Sequence, residues 1–412
     1  MGSDPIYSAR RTAVLMLSAH VLSMAGFSTF AALLPDLRAL WHLTNAEAGV
    51  VGGMFFAGYA STVSYWTALT DRMDGRRVYV IGSLLAAAGS AGFGLLAQGL
   101  ASAVLFQVLL GTGIAATYMP GLRLLSDRAS GPAQSRYIAF YTSFFGIGTA
   151  LSLAAAGAVS ALAGWQWAFV VAAAGPLAAG ALVFAGVDAR APAAAGAAPR
   201  FSLATLFPVA AWRRLLANRP VAGFALGYAM HCLELFGSRS WMVAFLAFSA
   251  GLHAGGASFP WNLAVIAAFV NVCAVPASIL GNEIALKIGR RPWIAIAMLG
   301  SGAGGILLGW SAPWPWIAVL AILLVYSMLV MAESATLTAG MVAAAPTELR
   351  GTAMGLYSLL GFAGGMIGPM VFGVALDAAG GASRGTAWVI AYAAIGSGAL
   401  ASSFVAWRRG RG

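Results

Sequence analysis

Charge is what this chain lacks most. Asp, Glu, Lys and Arg make up 8% of its 412 residues, against roughly 25% in ordinary soluble domains. A water-soluble fold of this length needs far more charge to cover its surface. Cysteine is nearly missing as well, with only Cys232 and Cys273, both inside apolar stretches. That argues against a disulfide framework or a cysteine metal centre. Asp-rich metal loops, phosphate-binding glycine loops and nucleophile elbows do not occur. No cofactor, no metal site and no enzymatic role are therefore expected. Any driving energy has to come from an ion gradient or from a solute's own gradient.

What the chain has is apolar length. Residues of the AVILMFWYC set make up 60% of it. Twelve runs are long enough to cross roughly 30 Å of hydrocarbon. They cover about 13–35, 46–70, 78–98, 101–125, 137–161, 165–186, 220–248, 259–281, 292–311, 315–342, 351–376 and 386–407. The first run lacks a cleavage site after its apolar core and is read as a retained span, not a signal peptide. Lipid removes the need for a charged surface but obliges every backbone group to bond internally, which makes the spans helices.

The net charge of +11 is a topology signal rather than a nucleic-acid signal. With the N-terminus placed in the cytoplasm, Arg10, Arg11, Arg72, Arg76, Arg77, Arg128, Arg136, Arg190, Arg200, Arg213, Arg214, Arg219, Lys287, Arg290, Arg291, Arg350, Arg408, Arg409 and Arg411 all fall inside. Arg38 and Arg384 alone fall in outer loops. This is the positive-inside pattern, and it predicts a multi-pass protein of the cell inner membrane with both termini cytoplasmic. Membrane lipid is an expected partner, nucleic acid is not, and a monomer is expected.

One polar interruption, 187–219, splits the spans six plus six. Its Ala/Pro/Gly-rich start reads as a linker. The part from Phe201 to Asn218, with Arg213 and Arg214, reads as a short amphipathic helix on the inner leaflet. The domains expected are 1–186, the linker 187–219, and 220–412. The halves repeat. A single offset carries Asp74–Arg77 onto Ile288–Arg291, Arg136 onto Arg350 and His20 onto Glu234. Paired six-helix halves are the mark of a transporter with its site near the midplane.

The loop after span two reads Thr67-Ala68-Leu69-Thr70-Asp71-Arg72-Met73-Asp74-Gly75-Arg76-Arg77. The loop after span eight reads Gly281-Asn282-Glu283 through Gly289-Arg290-Arg291. These resemble the loop motif of the major facilitator superfamily, Gly-x-Leu-Ala-Asp-Arg-x-Gly-Arg-Arg. Thr67 replaces the first glycine, one residue is added before Gly75, and the second copy has no aspartate at the equivalent place. The resemblance covers nearly the whole chain. It implies an all-α membrane protein of twelve transmembrane helices in two pseudo-symmetric bundles, working by alternating access. It also implies a cytoplasmic latch carried by Asp71, Arg72 and Arg76, with Asp127 as an added acidic partner. Topology alone is the competing account of these charges. Gln107 ahead of Gly111 and Gly113, and the missing Gly-Pro signature in span five, count against a proton-driven drug exporter. The stretch Gly227 to Trp241 is similar to the cyanate permease and nitroimidazole transporter branch.

Ionisable groups inside spans are costly and default to function. At roughly 100° per residue, His231, Glu234, Ser238, Arg239 and Trp241 share about 160° of span seven. Arg239 offers a planar fork suited to an anion. Burial penalises the charged form of a carboxyl group, so Glu234 is a candidate proton carrier. The competing account is a Glu–Arg or Glu–His brace that only holds helices. Glu333, near Ser334, Thr336 and Thr338, is a second proton candidate. His20, Asn271 and Arg123 complete the expected solute-binding set. A packing histidine, helix–helix glue and a snorkelling arginine are their respective alternatives. The expectation is a transporter of a small anionic solute, possible proton coupling included. Proton-coupled efflux of an apolar compound and a transport-inactive receptor are the rivals.

Overall fold

The computed structural model describes residues 5–70, 72–128, 131–189, 208–253 and 259–408. Every regular element among them is helical. Twelve long helical segments match the twelve expected spans. Spans two to six are Asn45–Leu69, Gly75–Leu96, Leu100–Ser126, Gly131–Ala163 and Trp165–Gly186. Spans seven to nine are Arg219–Gly251, Leu263–Ile288 and Arg290–Trp310, and spans eleven and twelve are Arg350–Ala378 and Gly385–Arg408. Among the described residues, nine segments are long and apolar enough to cross a membrane by length and composition. Spans two, seven and twelve are not among them; in span seven the polar face interrupts the apolar run. Large side chains such as Leu95, Leu105 and Ile317 are exposed along the helices, as lipid-facing residues are.

Two spans are interrupted. Span one is built from Pro5–Ser23, a 3-10 turn Met24–Gly26, and Thr29–Leu40. Span ten is built from Trp316–Ala332 and Ser334–Ala344, with Glu333 between them. Neither interruption falls on a proline, and sequence patterning expected continuous helices at both.

Helix starts follow local chemistry. Asp74 caps span three by accepting from the Arg76 amide at 3.0 Å. Asn262 caps span eight by accepting from Ala264 at 2.9 Å. That cap is why the helix begins later than the apolar run predicts. Asn218 caps span seven, with Pro220 in the first turn. Proline suits that position, since the amide it lacks has no intrahelical partner there. A short helix, Val209–Ala217, lies in the stretch expected to be interfacial. It docks through Leu215 on a core of Val221, Ala225, Met341 and Tyr357, leaving Arg213 and Arg214 exposed. Residues 190–207 of the linker lie outside the described residues.

The chain divides into two compact units. The first is residues 1–32 with 57–201, and the second is 33–56 with 202–412. In the first unit, spans one, three, four, five and six enclose Met16, Tyr79, Leu125, Tyr141 and Val183. The break in span one is closed by one hydroxyl. Ser152 of span five accepts from the Ser28 amide at 2.9 Å and donates to the Ala25 carbonyl at 2.7 Å.

In the second unit, spans seven and eleven pack at backbone distance. A Cβ on Gly368 would overlap the Leu233 carbonyl, and small residues permit this approach. Span two begins against the end of span eleven. Asp377 accepts from the Asn45 amide at 3.2 Å, from Asn45 Nδ2 at 2.6 Å and from the Ala46 amide at 2.7 Å.

Candidate functional site

The second unit brings together the acidic groups buried within the spans. Span seven supplies the buried His231 and Glu234 and the half-buried Arg239, and the partners come from spans nine and ten. His231 Nδ1 lies 3.1 Å from Glu333 Oε1, and both residues are fully buried. Ser301 donates to Glu234 Oε2 at 3.0 Å, and Tyr326 lies beside the same carboxyl. Arg239 makes no ion pair with a described residue; its nearest polar contact is Met331 Sδ, 3.6 Å from Nη2. The two carboxyl groups are thus engaged with Ser301 and His231, and the guanidinium faces a thioether.

Other span-seven and span-eight candidates are committed to packing. Ser238 donates to the Leu235 carbonyl of its own helix at 3.1 Å. Trp241 donates to the Pro369 carbonyl at 3.1 Å and stacks on Phe372. Asn271 donates to Ala267 at 2.8 Å, while its buried carbonyl oxygen has no partner.

The first unit holds an aromatic counterpart. His20 is fully buried. Its ring stacks on Tyr141 at 4.4 Å and meets Tyr118 at 5.1 Å. Neither ring nitrogen has a hydrogen-bond partner. The repeat that pairs His20 with Glu234 in sequence therefore pairs two different chemistries in space. One is a neutral aromatic setting and the other is a carboxyl-rich one.

The loop charges organise helix ends. Arg123 donates to Thr70 Oγ1 at 2.7 Å and lies 3.7 Å from Asp127. That ties the end of span four to the end of span two. Arg76 pairs with Asp74 at 2.7 Å and donates to the Val187 carbonyl at 2.9 Å, closing the end of span six. Partial burial works to raise the affinity of Asp74 for a proton. Hydrogen bonds from Arg76 and the charges of Arg76 and Arg128 outweigh it and hold the carboxyl below its usual range. Arg72 is exposed, and Asp71 lies outside the described residues.

Sequence reasoning did not single out Ser301 or Tyr141 as partners of these groups, nor Asp377 with Asn45. Asn45 and Asp377 are 332 positions apart, and no spacing rule links them. Ser301 and Tyr141 sit in apolar runs where the one available signal is a lone hydroxyl.

Residues 16–369 match the model of the Major Facilitator Superfamily. No curated protein matches the chain by sequence. Its fold is similar to that of a bacterial homologue of the human lysosomal transporter Spinster, solved inward-facing and unoccupied. Identity is 16%, 99% of this chain and 96% of that one are covered, and the TM-score is 0.75. The occupied form of that protein aligns with a TM-score of 0.72. A mutant of the nucleoside transporter NupG aligns at 16% identity over 96% of this chain and 100% of that one, with a TM-score of 0.72. With its family model matched over most of its length, this multi-pass chain belongs to the Major Facilitator Superfamily, whose secondary transporters carry small solutes and are not enzymes.

Proposed function

We propose that this transporter moves a small anionic solute across the cell inner membrane by alternating access of its two six-helix halves. Both termini and the 187–219 loop are cytoplasmic in this reading, which rests on the distribution of arginine. Arg239 binds the anionic group, and Glu234 or Glu333 carries a coupling proton. His20 and His231 assist at the solute.

The observation that carries the reading is that the Arg239 guanidinium has no ion-pair partner among the described residues and meets Met331 Sδ instead. An arginine within a span costs several kcal/mol unless an anion answers it. Both nearby carboxyl groups are engaged elsewhere, with Ser301 and His231. The solute is then the missing counterion. Its planar fork favours a carboxylate or a similar oxyanion over a spherical anion. The resemblance of Gly227–Trp241 to the cyanate permease and nitroimidazole transporter branch agrees with a small polar solute.

The test is a thermal-shift screen of anions on purified protein, followed by counterflow in proteoliposomes. Arg239→Gln removes the charge and is expected to abolish both the shift and the flux while the protein stays monodisperse. Arg239→Lys is expected to be impaired as well, because a point charge does not reproduce the fork. Normal anion binding by Arg239→Gln refutes the proposal.

A further inference from the structure

Span ten is cut at its one acidic residue, and the cut is built into its surroundings. Three neighbouring helices each supply a partner. Trp293 of span nine donates its indole N–H to the Ala332 carbonyl at 3.0 Å. Ser278 of span eight accepts from the Ala335 amide at 3.2 Å. His231 of span seven meets the Glu333 carboxyl. Gly281 of span eight stands where a Cβ would overlap the Ala332 carbonyl. An accidental kink does not recruit this set; a break that is kept does.

The same turn is incompletely satisfied. Glu333 Oε2 and Thr336 Oγ1 are both buried without a partner, and so is Nε2 of the facing His231. Buried polar groups in folded proteins are nearly always paired. Two orphans in one turn, with a third on the helix that faces it, point to a second arrangement of this segment in which they are paired.

We infer that the break at Glu333 is a hinge set by a proton held between Glu333 and His231. With the proton bound, one N–H or O–H bridges Nδ1 and Oε1, no net negative charge is left at this depth, and the break keeps the closed form described above. When the proton leaves to water, a carboxylate remains that His231 alone does not satisfy. Water is then drawn in and the Ala332–Leu337 turn opens. The other ionisable groups around the pair are Tyr228, which stacks on His231 at 5.8 Å, Cys232, Glu234 and Arg239 of span seven, and Tyr357 of span eleven. Spans eight and nine present Ser278, Trp293 and Ser301 there, none of which titrates near neutral pH. This assigns the coupling proton to Glu333 rather than Glu234. It rests on the proton-coupled reading and is independent of what the solute is.

The experiment is hydrogen–deuterium exchange across the pH range, on the full chain in nanodiscs with no solute added. The peptide covering 326–344 is followed, and the span-nine peptide 294–308 corrects for the chemical exchange rate. In the native chain, corrected exchange at 332–338 is expected to rise about tenfold as the proton is lost, the scale of a local opening. Glu333→Gln keeps the shape but cannot release a proton, so its exchange is expected to stay low and flat with pH. Trp293→Phe leaves the Ala332 carbonyl unanswered and is expected to loosen the turn at every pH. Exchange that does not change with pH in the native chain overturns the inference. So does a pH response that survives in Glu333→Gln. Because no solute is present, neither result depends on the role of Arg239.

Discussion

Removing the Asp377 side chain is expected to free the start of span two. Its carboxylate takes three donors, the amides of Asn45 and Ala46 and the side chain of Asn45, at 2.6–3.2 Å. A hydrogen bond to a charged group contributes about 1.5–3 kcal/mol net when sheltered. A negative charge at a helix N-terminus adds about 0.3–1 kcal/mol. Asp377 is exposed, and water replaces much of what is lost, so each bond is taken at about 0.8 kcal/mol, the ordinary net value. The two amide bonds and the dipole together then come to about 2 kcal/mol, or roughly a 30-fold rise in local opening. Hydrogen exchange of the peptide covering 44–50 in Asp377→Ala measures this directly. Asn45→Ala removes only the side-chain donor and is expected to give a clearly smaller rise. If exchange at Asn45 and Ala46 in Asp377→Ala matches the native chain, the carboxylate contributes nothing to holding this helix, and the reasoning fails.

Three further outcomes are expected. Glu234→Gln keeps solute exchange and keeps uphill accumulation driven by a pH gradient if Glu333 carries the proton. Loss of accumulation alone in Glu234→Gln, measured with labelled solute in proteoliposomes, assigns the proton to Glu234 instead. Asp74→Ala removes a helix cap and an ion pair, and is expected to cost about 1 kcal/mol, read as a lower melting temperature near neutral pH. Because the Asp74 carboxyl is held below its usual range, its contribution is full above the ordinary carboxyl range. It fades as pH falls through the lowered value, so native and mutant melting curves converge in acid. For topology, a cysteine probe at Gly380 is expected to react with an impermeant reagent from outside and one at Ala217 is not; the reverse pattern removes the charge argument.

The helices were legible because their signal is one-dimensional. Twenty apolar residues in a row need no partner to be recognised, and the Asn218–Pro220 start of span seven is a local signal too. The breaks at Met24–Gly26 and Glu333 were not legible. Each depends on side chains from other helices, Ser152 in one case and Trp293 with Ser278 in the other. Within the candidate site, the polar face of span seven followed from helical spacing alone. Which acid faces which partner did not follow. Spacing placed Arg239, Glu234 and His231 on one arc, but Glu333 takes the histidine, Ser301 takes Glu234, and Arg239 is left with a thioether. Trp241 sits on the same arc, yet it reaches the Pro369 carbonyl, because neighbouring helices divide one face between them.

The single hydroxyl that closes span one has a consequence for biosynthesis. Ser152 lies 124 residues downstream of Ser28. At roughly 5–20 residues per second, span five is made about 6–25 s after span one. During that interval the Ser28 amide has no partner from span five, the Ala25 carbonyl has only the Thr29 hydroxyl of its own span at 3.5 Å, and hydrocarbon offers none. Span one therefore reaches the bilayer unfinished. It has to be sheltered by the insertion machinery, or to wait at the membrane surface, until span five arrives to complete it. Changing Ser152 to alanine would make that delay permanent, and the defect would surface as premature degradation of the nascent chain rather than as a transport phenotype.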